Sequence, residues 1–331
     1  MNADRFQEIS SRYAELRIAV VGDYSCDRYL EIDPSKQETS IETGLPVHNV
    51  TNVRAQPGAT GTIASNLAAL GIGEIWPVGF CGADGEGFEL CRALKQLPGV
   101  KMDHFMENAE QRTFTYCKPL VMEAGQSPRE LNRLDSKNWH PTPLALQDQL
   151  ANAVRILAAQ VDAMIVLDQV DEPETGVVTR SLLSTIDKIR NQTLVIGDSR
   201  RGLKDWPHIA YKMNTTELAQ LTGQASNSPE SSALTLSKQT GQQVFVTLAE
   251  SGIIGATPDG TTAHCPTLPV HGEIDIVGAG DAVMANLATA LAAGAELSET
   301  LALANVAASV VIHKLGTTGT ATVEEMRETL G

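Results

Sequence analysis

Short β-branched runs alternate with alanine- and leucine-rich stretches of helical length along almost the whole chain, and that alternation limits the fold more than any other feature. Runs at 17–21 (RIAVV), 75–80, 163–167, 193–196 and 244–248 read as strands. Segments 62–70, 88–97, 144–159, 177–189, 279–293 and 298–313 carry helical patterning. Gly71 and the pair Pro98-Gly99 stop two of these helices, because glycine accepts positive φ and proline cannot continue a helix. Strands alternating with helices of this length predict an α/β fold, a mostly parallel central sheet covered on both faces.

Two segments break the rhythm. Residues 28–55 lack a helical period and contain Asp33-Pro34, Gly44 and Leu45-Pro46, followed by alternation over 47–50. Residues 112–121 (RTFTYCKPLV) read as an extra strand. The two insertions are expected to pair as a small β-sheet lid. With 331 residues, two domains or one large domain with an appendage are both allowed. The reading adopted is one domain over 1–331 with the lid inserted. Residues 224–232 (QASNSPESS) read as a polar loop.

Lys and Arg number 25 against 40 Asp and Glu, a net charge of −15. That balance argues against nucleic acid, which needs a basic face, and against an anionic membrane surface. No apolar run reaches the length of a membrane span, since Asn286 and Thr289 interrupt the longest. The N-terminus has no apolar leader. The five cysteines are widely spaced with no CxxC pair, as expected of free thiols in a reducing compartment. These features together predict a cytoplasmic protein. No P-loop string occurs, no Cys/His cluster has metal-ligand spacing, and GAGDAV lacks the third glycine of a dinucleotide fingerprint.

The sharpest local signal is Asp275-Ile276-Val277-Gly278-Ala279-Gly280-Asp281 before an alanine-rich helix. A Gly-Ala-Gly helix start aims unpaired N–H groups at one point, and the helix dipole adds positive charge there. Asp281, in the first turn, stands where a base could take a proton from a hydroxyl while those N–H groups hold a phosphoryl group. A plain tight turn with an acidic first-turn residue fits the same string. Asn214 and Glu217, three apart at a helix start, share one face and also fit a capping box.

Several segments in order make the chain resemble the PfkB carbohydrate kinases of the ribokinase superfamily, most of all their heptose-phosphate kinases. They are Val21-Gly22-Asp23 with Asp27-Arg28-Tyr29, Pro57-Gly58-Ala59 leading into Ile63–Gly71, Arg133-Leu134-Asp135, Asn214-Thr215-Thr216-Glu217, Asp275 to Asp281, and Lys314-Leu315-Gly316-Thr317. The resemblance implies a ribokinase-like, Rossmann-type sandwich whose β lid serves homodimerisation. It implies transfer of the γ-phosphoryl group of ATP, with Mg²⁺, to a hydroxyl of a sugar or sugar phosphate. By the same resemblance Asp281 is the base and Gly278, Ala279 and Gly280 form the anion hole. Asn214 and Glu217 organise Mg²⁺, through water, and the phosphates. Thr247, Gly252 and Asn305 fall at the nucleotide. Asp23, Asp27, Gly58, Ala59, Thr62, Arg133, Asp198 and Arg200 fall at the sugar. Asp275, with residues 308–316, falls at a K⁺ site.

The chain departs from that pattern in places. Ala59 replaces a glycine, Thr62 an asparagine, Val277 a threonine, and Asp198-Ser199-Arg200 an Asp-Pro-Lys. The segment Asp168–Glu172 keeps the aspartate but not the glycine-lysine pair common further along. The sequence given stops at Gly331, so an adenylyltransferase half is not expected. The altered sugar motif leaves a second reading open: a catalytically weak, non-enzymatic nucleotide or carbohydrate binder of the same fold.

Overall fold

The protein is described by a computed structural model over residues 1–223, 228–316 and 318–331. Among these residues, nine strands form one sheet in the order Thr262–Cys265, Ile253–Ala256, Val244–Thr247, Ala210–Asn214, Leu194–Ser199, Ala163–Asp168, Arg17–Gly22, Glu74–Gly82, Phe105–Asn108. Neighbours are parallel except at the first edge, where 253–256 and 262–265 form antiparallel pairs. The two central strands, RIAVVG and AMIVLD, are buried almost throughout, as parallel strands covered on both faces must be. Side chains alternate across the sheet. Ile18 and Val20 enter one core with helices Ala3–Ser10, Thr60–Ala69, Ala279–Ala292 and Leu297–Ile312. Ala19 and Val21 enter the other with helices Leu144–Ala158, Arg180–Ile189 and Pro229–Thr240.

A second sheet has the order Leu134–Ser136, Phe114–Val121, Tyr24–Ile32, Val50–Ala59, with Arg129–Glu130 pairing beside 114–121. It is the expected lid, but its strands begin at Tyr24 and run on to Ala59, beyond the expected 28–55. The central strand 17–22 passes into the lid strand 24–32 through Gly22 and Asp23. A side chain at Gly22 would put its Cβ 2.1 Å from the Leu167 carbonyl oxygen, so only glycine lets the backbone change sheets there.

Helix boundaries follow caps that apolar patterning does not show. The helix expected over 177–189 begins at Arg180, because the Thr179 hydroxyl caps it by accepting from the Leu182 amide at 3.3 Å. The helix expected at 88–97 begins at Gly85, capped by Asp84, which accepts from the Gly87 amide at 2.8 Å. Of the expected polar loop, residues 224–227 lie outside the described residues, as does Thr317. Residues 229–232 are the first turn of the helix Pro229–Thr240, with Ser228 as N-cap. No helix of the described residues is long and apolar enough to cross a membrane.

Candidate active site

The carboxyl ends of the parallel strands carry Asp168, Asp198, Asn214 and Thr247, where open α/β sheets hold their ligands. Asn214 and Thr247 are register partners on adjacent strands. Above this edge, roofed by the lid, lies a cavity of about 250 Å³. Its lining includes Asp27, Tyr116, Lys118, Arg133, Gln169 and Arg200 from the lid side, and Gly278, Asp281 and Thr318 from the main body. Ala59, Thr62 and Val277 also line it, so with Arg200 four departures from the family pattern meet at one place.

The helix Ala279–Ala292 points its N-terminus into this cavity. Gly278, at φ 83°, is its N-cap, and no side chain caps the turn. The Ala279 amide donates to the Ile276 carbonyl at 3.2 Å, so it is not a free member of the expected anion hole. The amides of Gly280 and Asp281 have no backbone acceptor among the described residues, which leaves them for a ligand. A Cβ on Gly280 would stand 3.5 Å from Lys212 Nζ, so a buried cation overlooks the same spot. The Thr318 hydroxyl on the cavity wall is buried without a protein partner.

Asp281 is half-buried and has no hydrogen bond or ion pair among the described residues. Burial pushes its carboxyl up to about 7; Lys212 opposes the rise, and Asp198 and Asp27 add to it. Lys212 itself donates to Asp198 Oδ2 at 2.6 Å. Asp198 therefore faces a lysine rather than the cavity, while its neighbour Arg200 lines the cavity and contacts Asp171 at 3.3 Å.

Asn214 and Glu217 form a reciprocal capping box. Asn214 Oδ1 accepts from the Glu217 amide at 2.9 Å, and Glu217 Oε2 accepts from the Asn214 amide at 2.7 Å. The Asn214 side chain also lies against the Glu217 carboxylate. No group of three or more His, Cys, Asp or Glu side chains among the described residues is arranged to hold a metal ion. Glu217 and Asn214 are the residues that would hold a magnesium ion here, and such an ion would arrive on phosphates and keep its waters.

On the lid side, Asp27 accepts from the Ser25 hydroxyl at 3.1 Å and pairs with Lys118 at 3.5 Å. Burial pushes its carboxyl above the ordinary range against the pull of Lys118. A Cβ at Gly58 would stand 1.9 Å from Asp27 Oδ1, so that glycine makes room for the carboxylate. Arg133 lies over the Tyr116 ring at 5.1 Å and pairs with Asp135 at 2.6 Å.

Other expected site residues stand elsewhere. Asp23 is buried, with Oδ1 accepting from the Val177 amide at 2.7 Å and Oδ2 from the Gln169 and Val170 amides at 2.8 and 3.3 Å. It pins the 169–177 loop and does not line the cavity. Gly252 permits close approach to the Cys265 carbonyl, and Asn305 donates to the Pro266 carbonyl at 2.7 Å. Both hold the 265–266 backbone. Asp275 accepts from the Val277 amide at 3.0 Å and donates its own amide to Ile312, which ties the signature loop to the penultimate helix.

Sequence reasoning missed Tyr116, Lys118, Gln169, Lys212 and Thr318. Lys118 carried a signal: a lysine two places from a tyrosine in an otherwise apolar strand shares its face. Lys212 carried one as well, a charge inside the strand YKM two residues before Asn214.

Residues 17–324 match the family described as pfkB family carbohydrate kinase. The protein named bifunctional protein HldE from Azorhizobium caulinodans is 30% identical over 304 residues, covering 91% of this chain and 61% of that protein. The protein of that name from Halorhodospira halophila is 30% identical over 329 residues, covering 96% and 64%. The chain thus spans less than two thirds of the length of these relatives. Among solved structures, phosphofructokinase-2 from Escherichia coli in complex with substrates and products matches with a TM-score of 0.72 at 19% identity, over 95% of this chain and 98% of that one. The ribokinase of Arabidopsis thaliana complexed with ribose and ATP matches with a TM-score of 0.68 at 19% identity, over 95% and 98%. These two likenesses show the ribokinase-like fold: the large, mostly parallel sheet with a small separate sheet beside it.

Proposed function

The chain belongs to the pfkB family of carbohydrate kinases, and on that premise we propose that it transfers the γ-phosphoryl group of ATP to a hydroxyl of a sugar phosphate. The observation that carries this reading is Asp281, an unpaired carboxylate beside two free amides in a cavity whose far wall is cationic. Asp281 accepts the proton of the attacking hydroxyl as the new O–P bond forms and the bond from the γ-phosphorus to ADP breaks. The Gly280 and Asp281 amides, with the helix dipole, hold the transferring oxygens. Lys212 adds positive charge on the nucleotide side. Magnesium, when bound, would supply charge neutralisation on the phosphates, and Glu217 and Asn214 are the residues that would hold it through water.

Asp27 and the lid place the acceptor. Lys118, Arg133 and Arg200 around one small cavity suit an acceptor that already carries a phosphate, since Arg forks match phosphate oxygens. The HldE relatives support a heptose phosphate as the first candidate. Asp275, facing the 308–316 segment, is the residue on which dependence on K⁺ would rest; activity with and without K⁺ tests it. Homodimerisation through the lid belongs to the same reading. The lid's edge strand leaves Val50 and Val53 exposed, and light scattering at several concentrations tests the dimer.

The test of function is Mg-ATP-dependent ADP release over a panel of sugars and sugar phosphates. Turnover on phosphorylated sugars above their unphosphorylated forms is expected. Ligand binding without turnover on any of them would instead support a non-catalytic binder.

A further inference from the structure

Cys81 and Cys91 bring their sulfurs within 3.6 Å of each other. Cys81 lies near the end of the strand Glu74–Gly82, and Cys91 in the helix Gly85–Gln96 that follows. Two sulfurs at that separation need to close by only about 1.5 Å to reach bonding distance. Their surroundings divide the work between them. Cys91 is the partly exposed member, while Cys81 is buried. The contact with Cys81, in which either sulfur can donate, and Lys95 one helical turn on hold the Cys91 thiol below its ordinary range. Cys81 is pushed up by that same hydrogen bond and by burial. Of the remaining thiols, Cys26 and Cys117 are buried, and burial pushes the half-exposed Cys265 up.

We propose that Cys81 and Cys91 are a modification site, a dithiol that a small-molecule disulfide of the glutathione class converts to an intramolecular disulfide. The Cys91 thiolate attacks one sulfur of the oxidant, forming a mixed disulfide and releasing one reduced thiol. Cys81 then gives up its proton and attacks the Cys91 sulfur, releasing the second. Two protein thiols are oxidised, and one small disulfide is reduced to two thiols.

The bond would tie the central sheet to the helix that anchors the lid. That helix carries Glu86 and Glu89, which pair with Arg28 at 3.5 and 3.0 Å, and Arg28 follows Asp27 on the lid strand. The proposal is independent of phosphotransfer.

The test is native incubation of the full chain with oxidised glutathione, followed by intact mass and non-reducing peptide mapping. Cleavage after Glu86 or Glu89 separates the two cysteines. Expected are the loss of two of the five thiols, a mass lower by two hydrogens, and peptides joined through Cys81 and Cys91 that dithiothreitol releases. Cys81→Ser should stop at a glutathione adduct on Cys91, and Cys91→Ser should form neither product. If the change at buried Cys81 prevents folding, the wild-type map decides alone. A stable glutathione adduct on wild-type Cys91, a different pairing, or five thiols surviving an excess of oxidant would each overturn the proposal.

Discussion

Lys212 donates to Asp198 across 2.6 Å, and that pairing leaves Asp281 attracted by the same ammonium but not bound to it. Burial pushes the Asp281 carboxyl up to about 7 against that attraction, close to working pH, where a general base is most effective.

Protonated Asp281 cannot accept the hydroxyl proton, so kcat/KM should fall as pH drops through about 7. Removing Lys212 removes the attraction that holds Asp281 down. Lys212→Met should therefore move the acidic limb to higher pH and raise the KM for ATP, and Lys212→Arg should largely restore the limb. A pH profile unmoved by Lys212→Met would assign the limb to another group.

The same carboxyl bears on stability. Its folded pKa lies above the ordinary 3.8, so the folded form binds more protons and this group's contribution falls as pH rises from about 4 to about 7. Asp281→Asn should thus gain thermal midpoint relative to wild type across that window, most above pH 7. Parallel midpoints at every pH would show that burial of the charge has little cost.

Asp23 satisfies three backbone donors of the 169–177 loop. Asp23→Ala strands all three in a buried place, at about 1–3 kcal/mol each. Chemical denaturation should show a loss of several kcal/mol, and sugar binding should weaken because Gln169 lines the cavity. Unchanged stability would mean that water or a shifted loop replaces the carboxylate.

Ala59 is held at φ 52° and ψ −121°, a region that a Cβ makes costly by about 1–3 kcal/mol. Ala59→Gly relieves the strain and returns about 0.4–1 kcal/mol to the unfolded chain's entropy. A net gain of about 1 kcal/mol is expected in urea unfolding, with the methyl removed from the cavity wall. Destabilisation would show that the methyl packs usefully.

Arg133 is an exposed cation of the cavity's far wall, as is Arg200. Arg133→Ala should raise the KM for a phosphorylated sugar about tenfold or more, the equivalent of about 1.4 kcal/mol, with a smaller effect on kcat. Equal loss with an unphosphorylated sugar would remove Arg133 from phosphate recognition.

Much of this was legible in the sequence, for physical reasons. The runs at 17–21 and 163–167 read as strands of a parallel sheet, and Gly278 to Asp281 as a helix start, although the Ala279 amide is bound to Ile276. The capping box of Asn214 and Glu217 was readable from spacing alone. Other features were not. Short strands such as the edge strand Thr262–Cys265 have no period long enough to detect. Asp23 looked like a ligand residue because nothing local says which distant amides will meet it. Asp198 and Lys212 are fourteen residues apart on neighbouring strands, so only the sheet order shows that one neutralises the other. Lys118 and Arg133 share a cavity with Asp281 only because the lid lies over the main sheet.

The most direct test is single-turnover phosphoryl transfer from Mg-ATP to the best sugar phosphate, comparing wild type with Asp281→Asn at pH 8. The transfer rate should fall by at least about 10²-fold with ATP affinity nearly unchanged. A variant that transfers phosphate at the wild-type rate would contradict the assignment of Asp281 as the base.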